Sequence, residues 1–256
     1  MNHFNTRAAA QRYSKGRPDF HSNTIKHIKA FLRLDQKLDN ALDIACGTGL
    51  STKALLEIAT TVYGTDTSRE MLNLAPESDK IHYSIAPAEQ QPFANNYFDI
   101  ITVSSGIHWF DIETFLLEAN RLLKSKSWLV LYENHFIAEM VDNDRFTHWF
   151  HNVYLKSFPS PPRHNNYPWT DKNLLQKNFS LAGEETFKNG ISFNKGRLVL
   201  YFTTQTNIIA AVQRNQTNYP EVEKWLDHEL DPFFNNPYTS HIINYGNWIK
   251  YIQRVN

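Results

Sequence analysis

Between residues 38 and 134, short apolar runs alternate with longer stretches in which apolar residues recur every three or four positions. The short runs predict buried strands, and the spaced pattern predicts helices that cover a sheet. The run at residues 42–45 is followed at helical spacing by four apolar residues, Leu50, Ala54, Leu55 and Ile58. This alternation is typical of βαβ units, which build a parallel sheet.

The same reasoning places further elements along the chain. Four more strands are predicted at residues 61–66, 81–85, 98–104 and 127–132. A capping box from Thr67 to Glu70 predicts a short helix that ends before Pro76, and Asp111 is expected to cap a longer one. Beyond residue 135 the pattern predicts a sixth strand at 184–193, helices within 195–231, and a closing strand region at 238–254 with Gly246 as a bend or bulge.

These elements predict a single α/β domain over residues 1–256, with a mostly parallel seven-stranded sheet and helices on both faces. A helical arm is expected at 1–37 and the core that binds a ligand at 38–134. Residues 135–182 are crowded with aromatic side chains and predict a helical cap inserted after the fifth strand. Residues 183–256 are expected to complete the sheet and the pocket of a second substrate.

Composition narrows the choice of partners. The 26 basic and 26 acidic residues balance, so no global field attracts nucleic acid or an anionic membrane. The single cysteine cannot form an internal disulfide, and no apolar run reaches the roughly 18 to 20 residues that span a bilayer. The 11 histidines show no metal-binding spacing. We therefore expect a cytoplasmic protein with a small-molecule partner and no metal.

The turn after the first strand carries the clearest chemistry. Gly47 and Gly49 allow close approach of backbone to a ligand. Asp43 precedes Gly47 by four residues and is expected to face the mouth of the turn, where it would repel a pyrophosphate and attract a cation. S-adenosylmethionine carries an ammonium and a sulfonium and no phosphate. Asp66, which ends the second strand, suits the two hydroxyls of a ribose.

A nicotinamide dinucleotide remains an alternative ligand at this point, because its enzymes place an acid similarly to Asp66. Two features argue against it. A dinucleotide fingerprint requires a third glycine where this chain has Thr52, and it does not favour Asp43.

In order along the chain, three segments resemble the class I S-adenosylmethionine-dependent methyltransferases, of the broad type 11 group: residues 42–49 (Leu-Asp-Ile-Ala-Cys-Gly-Thr-Gly), residues 63–66 (Tyr-Gly-Thr-Asp), and residues 88–99 from Ala-Glu-Gln-Gln-Pro-Phe to Tyr-Phe-Asp. The resemblance implies a Rossmann-like fold and S-adenosylmethionine as cofactor, with S-adenosylhomocysteine as product. Residues 13–18 and 108–111 resemble, more narrowly, trans-aconitate methyltransferase-like enzymes. This narrower likeness favours a carboxylic acid as acceptor.

The family's binding positions carry over residue by residue. The glycine turn and its flank, which meet the methionine part of the cofactor, become Asp43, Ala45, Cys46, Gly47 and Gly49. The ribose and adenine positions become Asp66, Thr67, Met71, Ala88 and Glu89, and the residues that border the transferable methyl become Ser104 and Ser105. Two departures are Ala45, where many members have glycine, and residues 124–127, which lack the usual glycines.

Three further residues are weighed against simpler structural roles. His108 is a candidate general base for a hydroxyl or amine acceptor, and packing against the pocket wall is the simpler explanation. Arg17, with Tyr13, is a candidate partner of the cofactor carboxylate, or else part of a solvated basic face. The predicted function is methyl transfer to a small molecule; a non-catalytic cofactor-binding regulator or partner subunit and an NAD-dependent oxidoreductase are the alternatives. The patterns predict no oligomeric state.

Overall fold

The computed structural model of the protein describes residues 6–161, 167–236 and 238–256. Residues 1–5 of the predicted arm and 162–166 of the predicted insertion lie outside the described residues. None of the described helices is long and apolar enough to cross a bilayer.

The described elements follow the predicted alternation. The helices are α1 (Arg7–Gly16), α2 (His21–Phe31), α3 (Leu50–Leu55), α4 (Arg69–Leu72), α5 (Ile112–Leu122), α6 (Asp144–Trp149), α7 (Leu155–Ser157), α8 (Asp171–Leu175), α9 (Lys195–Phe202), α10 (Thr206–Gln213) and α11 (Tyr219–Leu230). The strands are β1 (Leu38–Ile44), β2 (Ala59–Asp66), β3 (Ile81–Ile85), β4 (Phe98–Ser104), β5 (Leu123–Met140), β6 (Phe179–Asn194) and β7 (Ser240–Arg254). Short 3₁₀ turns lie at Ile107–Trp109 and Asp231–Phe233, and a π-helical turn lies at Phe150–Tyr154.

The seven strands form one sheet in the order β3-β2-β1-β4-β5-β7-β6. The pairings of β1 with β2 and β4, of β2 with β3, and of β4 with β5 are all parallel. The sheet is mixed, because it also contains antiparallel pairing. The prediction of a mostly parallel, Rossmann-like sheet with helices is confirmed. Because β1 lies between β2 and β4, the carboxyl ends of these three strands meet at the place where the strand order reverses.

Local chemistry explains where the elements begin. The carboxylate of Asp111 accepts a hydrogen bond from the Thr114 backbone N–H at 3.2 Å, so it caps α5 as predicted. The predicted Thr67 capping box is wrong, because α4 begins one residue later. There the Ser68 hydroxyl accepts from the Met71 N–H at 3.3 Å.

The fifth strand is longer than its apolar pattern indicates. Its predicted end at Tyr132 is wrong: β5 runs from Leu123, directly after α5, to Met140. The first helix beyond it begins at Asp144. Gly246 lies inside β7. A Cβ at this position would overlap the His135 ring, so only glycine fits here.

The chain divides into two compact units. One contains the described parts of Met1–Asp19, His135–Arg163 and Lys188–Gly246. The other contains Phe20–Asn134, the described part of His164–Phe187, and Asn247–Asn256. We call the first the aromatic unit and the second the sheet unit. β5, β6 and β7 contribute residues to both.

Each unit has its own apolar core. In the sheet unit, one cluster includes Phe98, Phe115 and Leu131, and another includes Ile25, Leu55 and Ile249. In the aromatic unit, buried rings contact one another edge to face, tilted or stacked, and several of them are fully buried. They include Phe146, Tyr154, Tyr201, Phe202 and Tyr245.

Candidate functional site

The turn after β1 has an unusual backbone. Gly47 and Gly49 have φ angles of 56° and 75°, in the left-handed region that favours glycine. Ala45 shares this conformation, with a φ of 57°. This explains why glycine suits its position in the family that the sequence resembles. The chain therefore turns sharply away from the sheet at Ala45 and enters α3 at Gly49.

Asp66 braces this turn from the end of β2. Its Oδ2 accepts the Gly47 N–H at 2.9 Å, and its Oδ1 accepts the Ser68 N–H at 2.8 Å. Burial raises the pKa of Asp66, while backbone hydrogen bonds from Ser68, Gly47 and Thr67 limit the rise. The side chain is half-buried. A carboxylate offers about four acceptor positions, so Asp66 can hold the turn and still accept hydroxyl donors from a ligand.

Met71 and Tyr83 cover the glycine turn. A Cβ on Gly47 would lie 3.3 Å from the Met71 methyl carbon, and a Cβ on Gly49 would overlap the Tyr83 hydroxyl. The Tyr83 ring also packs on Gly64, where a Cβ would lie 2.7 Å from the ring. Tyr83 was not predicted from the sequence. The only signal in the sequence is that two positions against this ring are glycine: Gly49 in the turn and Gly64 in the neighbouring strand β2.

Asp43 does not face the mouth of the turn. It is completely buried, and its Oδ2 accepts hydrogen bonds from the Ser51 and Thr52 hydroxyls at 2.6 and 2.7 Å. Its Oδ1 accepts the Thr102 hydroxyl at 3.1 Å. The carboxylate thus ties β1 to α3 and β4. Its predicted contact with a ligand stays a prediction, and the contacts observed here are structural.

Burial raises the pKa of Asp43 to about 6, although three hydroxyl donors oppose the rise and the charge of Asp66 adds to it. The folded protein therefore holds this proton more tightly than the unfolded chain, whose carboxyl has a pKa near 3.8. The resulting stabilisation is fully present below pH 4 and is lost as the pH rises through 6. The contribution is about 3 kcal/mol, since each pKa unit corresponds to ~1.4 kcal/mol.

We expect Asp43→Asn to remove this pH dependence. Asparagine keeps the shape and stays neutral, so the free energy of unfolding of the variant relative to wild type should rise by about 3 kcal/mol between pH 4 and pH 7. Urea unfolding at several pH values measures this difference. A constant difference across the range would show that Asp43 titrates alike in the folded and unfolded chain.

Cys46 follows Ala45 and is buried. Burial, then the charges of Asp43 and Asp66, raise the pKa of its thiol well above the ordinary value. The thiol therefore stays protonated and is a poor nucleophile. Its backbone N–H donates to the Thr65 carbonyl at 3.0 Å, so Cys46 joins the turn to β2.

The residues after β4 complete the edge of the sheet. Ser104 is half-buried, and Ser105 is exposed with a φ of 54°. The Ser105 N–H donates to the Tyr132 carbonyl at 2.9 Å. Gly106 packs directly on Ala45, because a Cβ on Gly106 would lie 2.8 Å from that of Ala45. The turns after β1 and β4 are therefore in contact, as the strand order requires.

The adenine-flanking candidates lie between β3 and α5. Ala88 is buried, and Glu89 accepts the Asp111 N–H at 2.8 Å, which places it at the beginning of α5. His108 is half-buried in the 3₁₀ turn after β4, with its ring centroid 4.7 Å from that of Trp109. The roles predicted for these residues toward a ligand stay predictions.

Tyr13 and Arg17 belong to the aromatic unit. The Arg17 guanidinium carbon lies 4.8 Å from the centroid of the Tyr13 ring, so the predicted pair is in contact. The expected pairing with the cofactor carboxylate stays a prediction, as does the acceptor pocket expected from the aromatic insertion.

Metal-binding clusters of three or more histidine, cysteine or acidic side chains are absent from the described part of the chain. Sequence reasoning missed the hydroxyl partners of Asp43. In the sequence analysis, Thr52 was considered only because it stands where a dinucleotide fingerprint has glycine. Thr102 lies 59 residues from Asp43 in the sequence, in another strand. Gly106 was also missed, and its signal was only a small residue two positions after a predicted strand.

The chain is similar to known methyltransferases. Residues 42–131 match a family model described as a methyltransferase domain. A Dictyostelium discoideum protein named as a candidate methyltransferase is 22% identical over 219 residues, which cover 84% of this chain and 81% of that protein. A ubiquinone/menaquinone biosynthesis C-methyltransferase of Geotalea daltonii is 32% identical over 129 residues. That match covers 46% of this chain and about half, 53%, of the relative.

A solved structure supports the fold independently. A candidate type II methyltransferase from Anaeromyxobacter dehalogenans superposes with a TM-score of 0.73 at 16% identity, over 93% of this chain and 98% of that one. The family model covers β1 to β5, the segment that contains the glycine turn, Asp66 and the residues after β4. The match is to methyltransferases, so the nicotinamide alternative is not supported. Over residues 42–131, the match to a methyltransferase-domain model therefore supports the resemblance of the sequence to the class I S-adenosylmethionine-dependent methyltransferases.

Proposed function

We propose that this methyltransferase transfers the methyl group of S-adenosylmethionine to a small organic acceptor. The observation that carries the proposal is the edge of the sheet at which β1, β2 and β4 end. There the left-handed turn at Gly47 and Gly49 is braced by Asp66 and touches the turn at Gly106 through Ala45. A ligand site at the switch point of a parallel sheet has this location.

The residues present fit the cofactor. Backbone at Gly47 and Gly49 has no Cβ to keep the methionine part away. Asp66 retains acceptor positions for the ribose hydroxyls, and the Met71 methyl lies over the turn, where it can cover the adenine. Thr67, Ala88 and Glu89 are the further proposed contacts of the nucleoside.

When bound, S-adenosylmethionine supplies an electrophilic methyl group on a sulfonium. The chain must then align the acceptor with this methyl and exclude water. Ser104 and Ser105 are proposed to border the transfer. His108 is proposed to take the proton of a hydroxyl or amine acceptor. A carboxylate acceptor needs no such base.

Two observations support a small acceptor. The net charge of zero gives no field that would attract a nucleic acid. One relative is named as a C-methyltransferase of ubiquinone and menaquinone biosynthesis. The sequence left carboxylic acids, phenols, quinone precursors and amines open as acceptors, and the name of this relative favours a quinone precursor among them.

The test is transfer of labelled methyl from S-adenosylmethionine into a metabolite extract, followed by identification of the product. We expect label in one small-molecule species. Label in protein or RNA would contradict the proposal. S-adenosylhomocysteine binding without any transfer would instead favour a non-catalytic cofactor-binding protein.

The same assay tests His108. If the product is an ether or a methylamine, His108→Gln should lower kcat by about 100-fold or more, the usual contribution of a general base. Its affinity for S-adenosylhomocysteine should not change. An unchanged kcat on such an acceptor would show that His108 only packs against the site.

A further inference from the structure

The chain between β3 and β4 needs partners for its backbone. Residues 86–97 form turns and irregular backbone, so a regular ladder does not supply their hydrogen bonds. We call them the β3–β4 segment. It begins beside Asp66, because the Ala86 N–H donates to the Asp66 carbonyl oxygen at 3.2 Å. It also contains Ala88 and Glu89, the proposed contacts of the nucleoside, so whatever holds this segment bears on the cofactor.

Arg121, in the last turn of α5, supplies hydrogen bonds to this segment. Its Nη1 donates to the Phe93 carbonyl oxygen at 2.7 Å and to the Asn95 side-chain oxygen at 2.8 Å. Its Nη2 donates to the Gln91 carbonyl oxygen at 3.1 Å. One guanidinium thus holds the β3–β4 segment at three points. A lysine could not do this, because only arginine presents its N–H groups in a rigid planar fork.

Glu118 orients Arg121 from one turn earlier in the same helix. The Arg121 Nε and Nη2 donate to the two Glu118 carboxylate oxygens, each at 2.7 Å. Glu118 Oε1 also accepts the Gln91 N–H at 2.7 Å. Among the described residues the guanidinium therefore makes five hydrogen bonds, as many as it has N–H groups. Arg121 keeps no N–H group for a ligand, so any effect on a ligand must pass through the β3–β4 segment.

Gln91 carries this constraint to the proposed nucleoside contacts. Its side chain is buried, and its Nε2 donates to the Pro87 carbonyl oxygen at 2.7 Å. The Gln90 N–H donates to the same oxygen at 3.2 Å. Pro87 directly precedes Ala88, so these bonds close a tight turn around Ala88 and Glu89. Because Gln91 is fixed through both its N–H and its carbonyl group, the position of the turn depends on Glu118 and Arg121.

The β3–β4 segment is tied to both ends of α5. At the beginning of the helix, Glu89 Oε1 accepts the Asp111 N–H at 2.8 Å. At the other end, Glu118 and Arg121 hold the segment at Gln91 and beyond. Several of these bonds involve a charged group and are therefore stronger than bonds between neutral groups. The segment cannot shift along α5 unless these bonds break.

We propose that Arg121, oriented by Glu118, is a positioning residue for the base of the cofactor: it holds the β3–β4 segment where Ala88 and Glu89 can meet the adenine. The inference rests on the proposed function, which supplies S-adenosylmethionine as the ligand. Arg121 acts by keeping the segment in the state that is competent to bind the base. A ligand that needs this state loses apparent affinity in proportion to the fraction of protein that leaves it.

Calorimetric titration of the whole protein tests this role with two probes. S-adenosylhomocysteine carries the base, whereas S-ribosylhomocysteine has the same amino acid and ribose without it. Arg121→Lys keeps the charge beside Glu118 but loses the planar fork. It should weaken S-adenosylhomocysteine binding about 10-fold, as expected if about one tenth of the protein stays competent, and leave S-ribosylhomocysteine binding unchanged. Glu118→Gln should act in the same direction with a smaller loss.

Lys124→Gln is the matched control. Lys124 lies in the same unit, is exposed to a similar extent, and binds Asp99 at 2.6 Å. Its removal breaks an ion pair without touching the β3–β4 segment, so both affinities should equal those of wild type. A general loss of stability would affect this variant and Arg121→Lys alike.

Hydrogen exchange of the ligand-free proteins supplies the second measurement. Amides of the β3–β4 segment should exchange faster in Arg121→Lys than in wild type, and at the wild-type rate in Lys124→Gln. The proposal is overturned if exchange in the segment does not change, or if Arg121→Lys weakens both probes alike or neither of them. Each of these results leaves the proposed function intact. Wild type that binds no S-adenosylhomocysteine contradicts the proposed function, and this inference with it.

Discussion

Asp66→Ala is expected to lower the affinity for S-adenosylhomocysteine by about 100-fold or more while the protein stays folded. The alanine removes the proposed acceptors of two ribose hydroxyls, each a charge-assisted hydrogen bond worth roughly 10-fold or more. It also removes the acceptors of the Gly47 and Ser68 N–H groups, which lie 2.9 and 2.8 Å from the carboxylate. The glycine turn then loses its brace. Calorimetric titration with S-adenosylhomocysteine measures the loss.

Two further variants identify the cause. Asp66→Asn keeps one oxygen acceptor and should retain part of the affinity. Asp79→Ala removes an exposed acid in the segment before β3 and should have no effect. Unchanged affinity of Asp66→Ala, with an unaltered circular dichroism spectrum, would show that the ribose is held elsewhere.

Gly49→Ala is expected to reduce the free energy of unfolding by roughly 2 to 6 kcal/mol. The left-handed backbone, with a φ of 75°, costs an alanine about 1 to 3 kcal/mol. The new methyl group would also overlap the Tyr83 hydroxyl and lie 3.0 Å from Pro76 and 3.1 Å from Ala75. Overpacking of this kind costs about 1 to 3 kcal/mol more. Urea unfolding followed by circular dichroism measures the change.

Gly196→Ala is the matched control. Gly196 lies in α9, where a Cβ would be 3.9 Å from the Asn194 side chain and the backbone needs no left-handed angle. Alanine should stabilise that helix by about 0.5 to 1 kcal/mol. If the two substitutions change stability alike, the strain and the overlap at Gly49 are not real constraints.

The first half of the fold follows from the sequence because its signals are local. Apolar runs, with segments of helical spacing between them, predict β1 to β4. Asp111 marks the beginning of α5, because its carboxylate accepts the N–H of Thr114 three residues later. The end of β5 could not be found in this way. Its residues beyond Tyr132 mix polar and aromatic side chains, so the pattern no longer indicates a strand.

The convergence of the candidate residues at one edge of the sheet was predictable, but the environment of their charged groups was not. Gly47, Gly49 and Asp66 follow two consecutive strands, and parallel strands bring their carboxyl ends together. Asp43, in contrast, was expected at the mouth of the turn. Its burial depends on the Thr102 hydroxyl, which the neighbouring strand supplies. A pairing between distant strands determines this contact, and local spacing does not contain it.

The strand order has a consequence for synthesis on the ribosome. β7 lies between β5 and β6, yet β6 is translated first and residues 195–239 separate the two in sequence. Until β7 emerges, β5 has an unpaired edge and β6 has no neighbour in the sheet. A nascent chain in which β6 has left the ribosome and β7 has not is therefore the intermediate most prone to pair with another copy of itself.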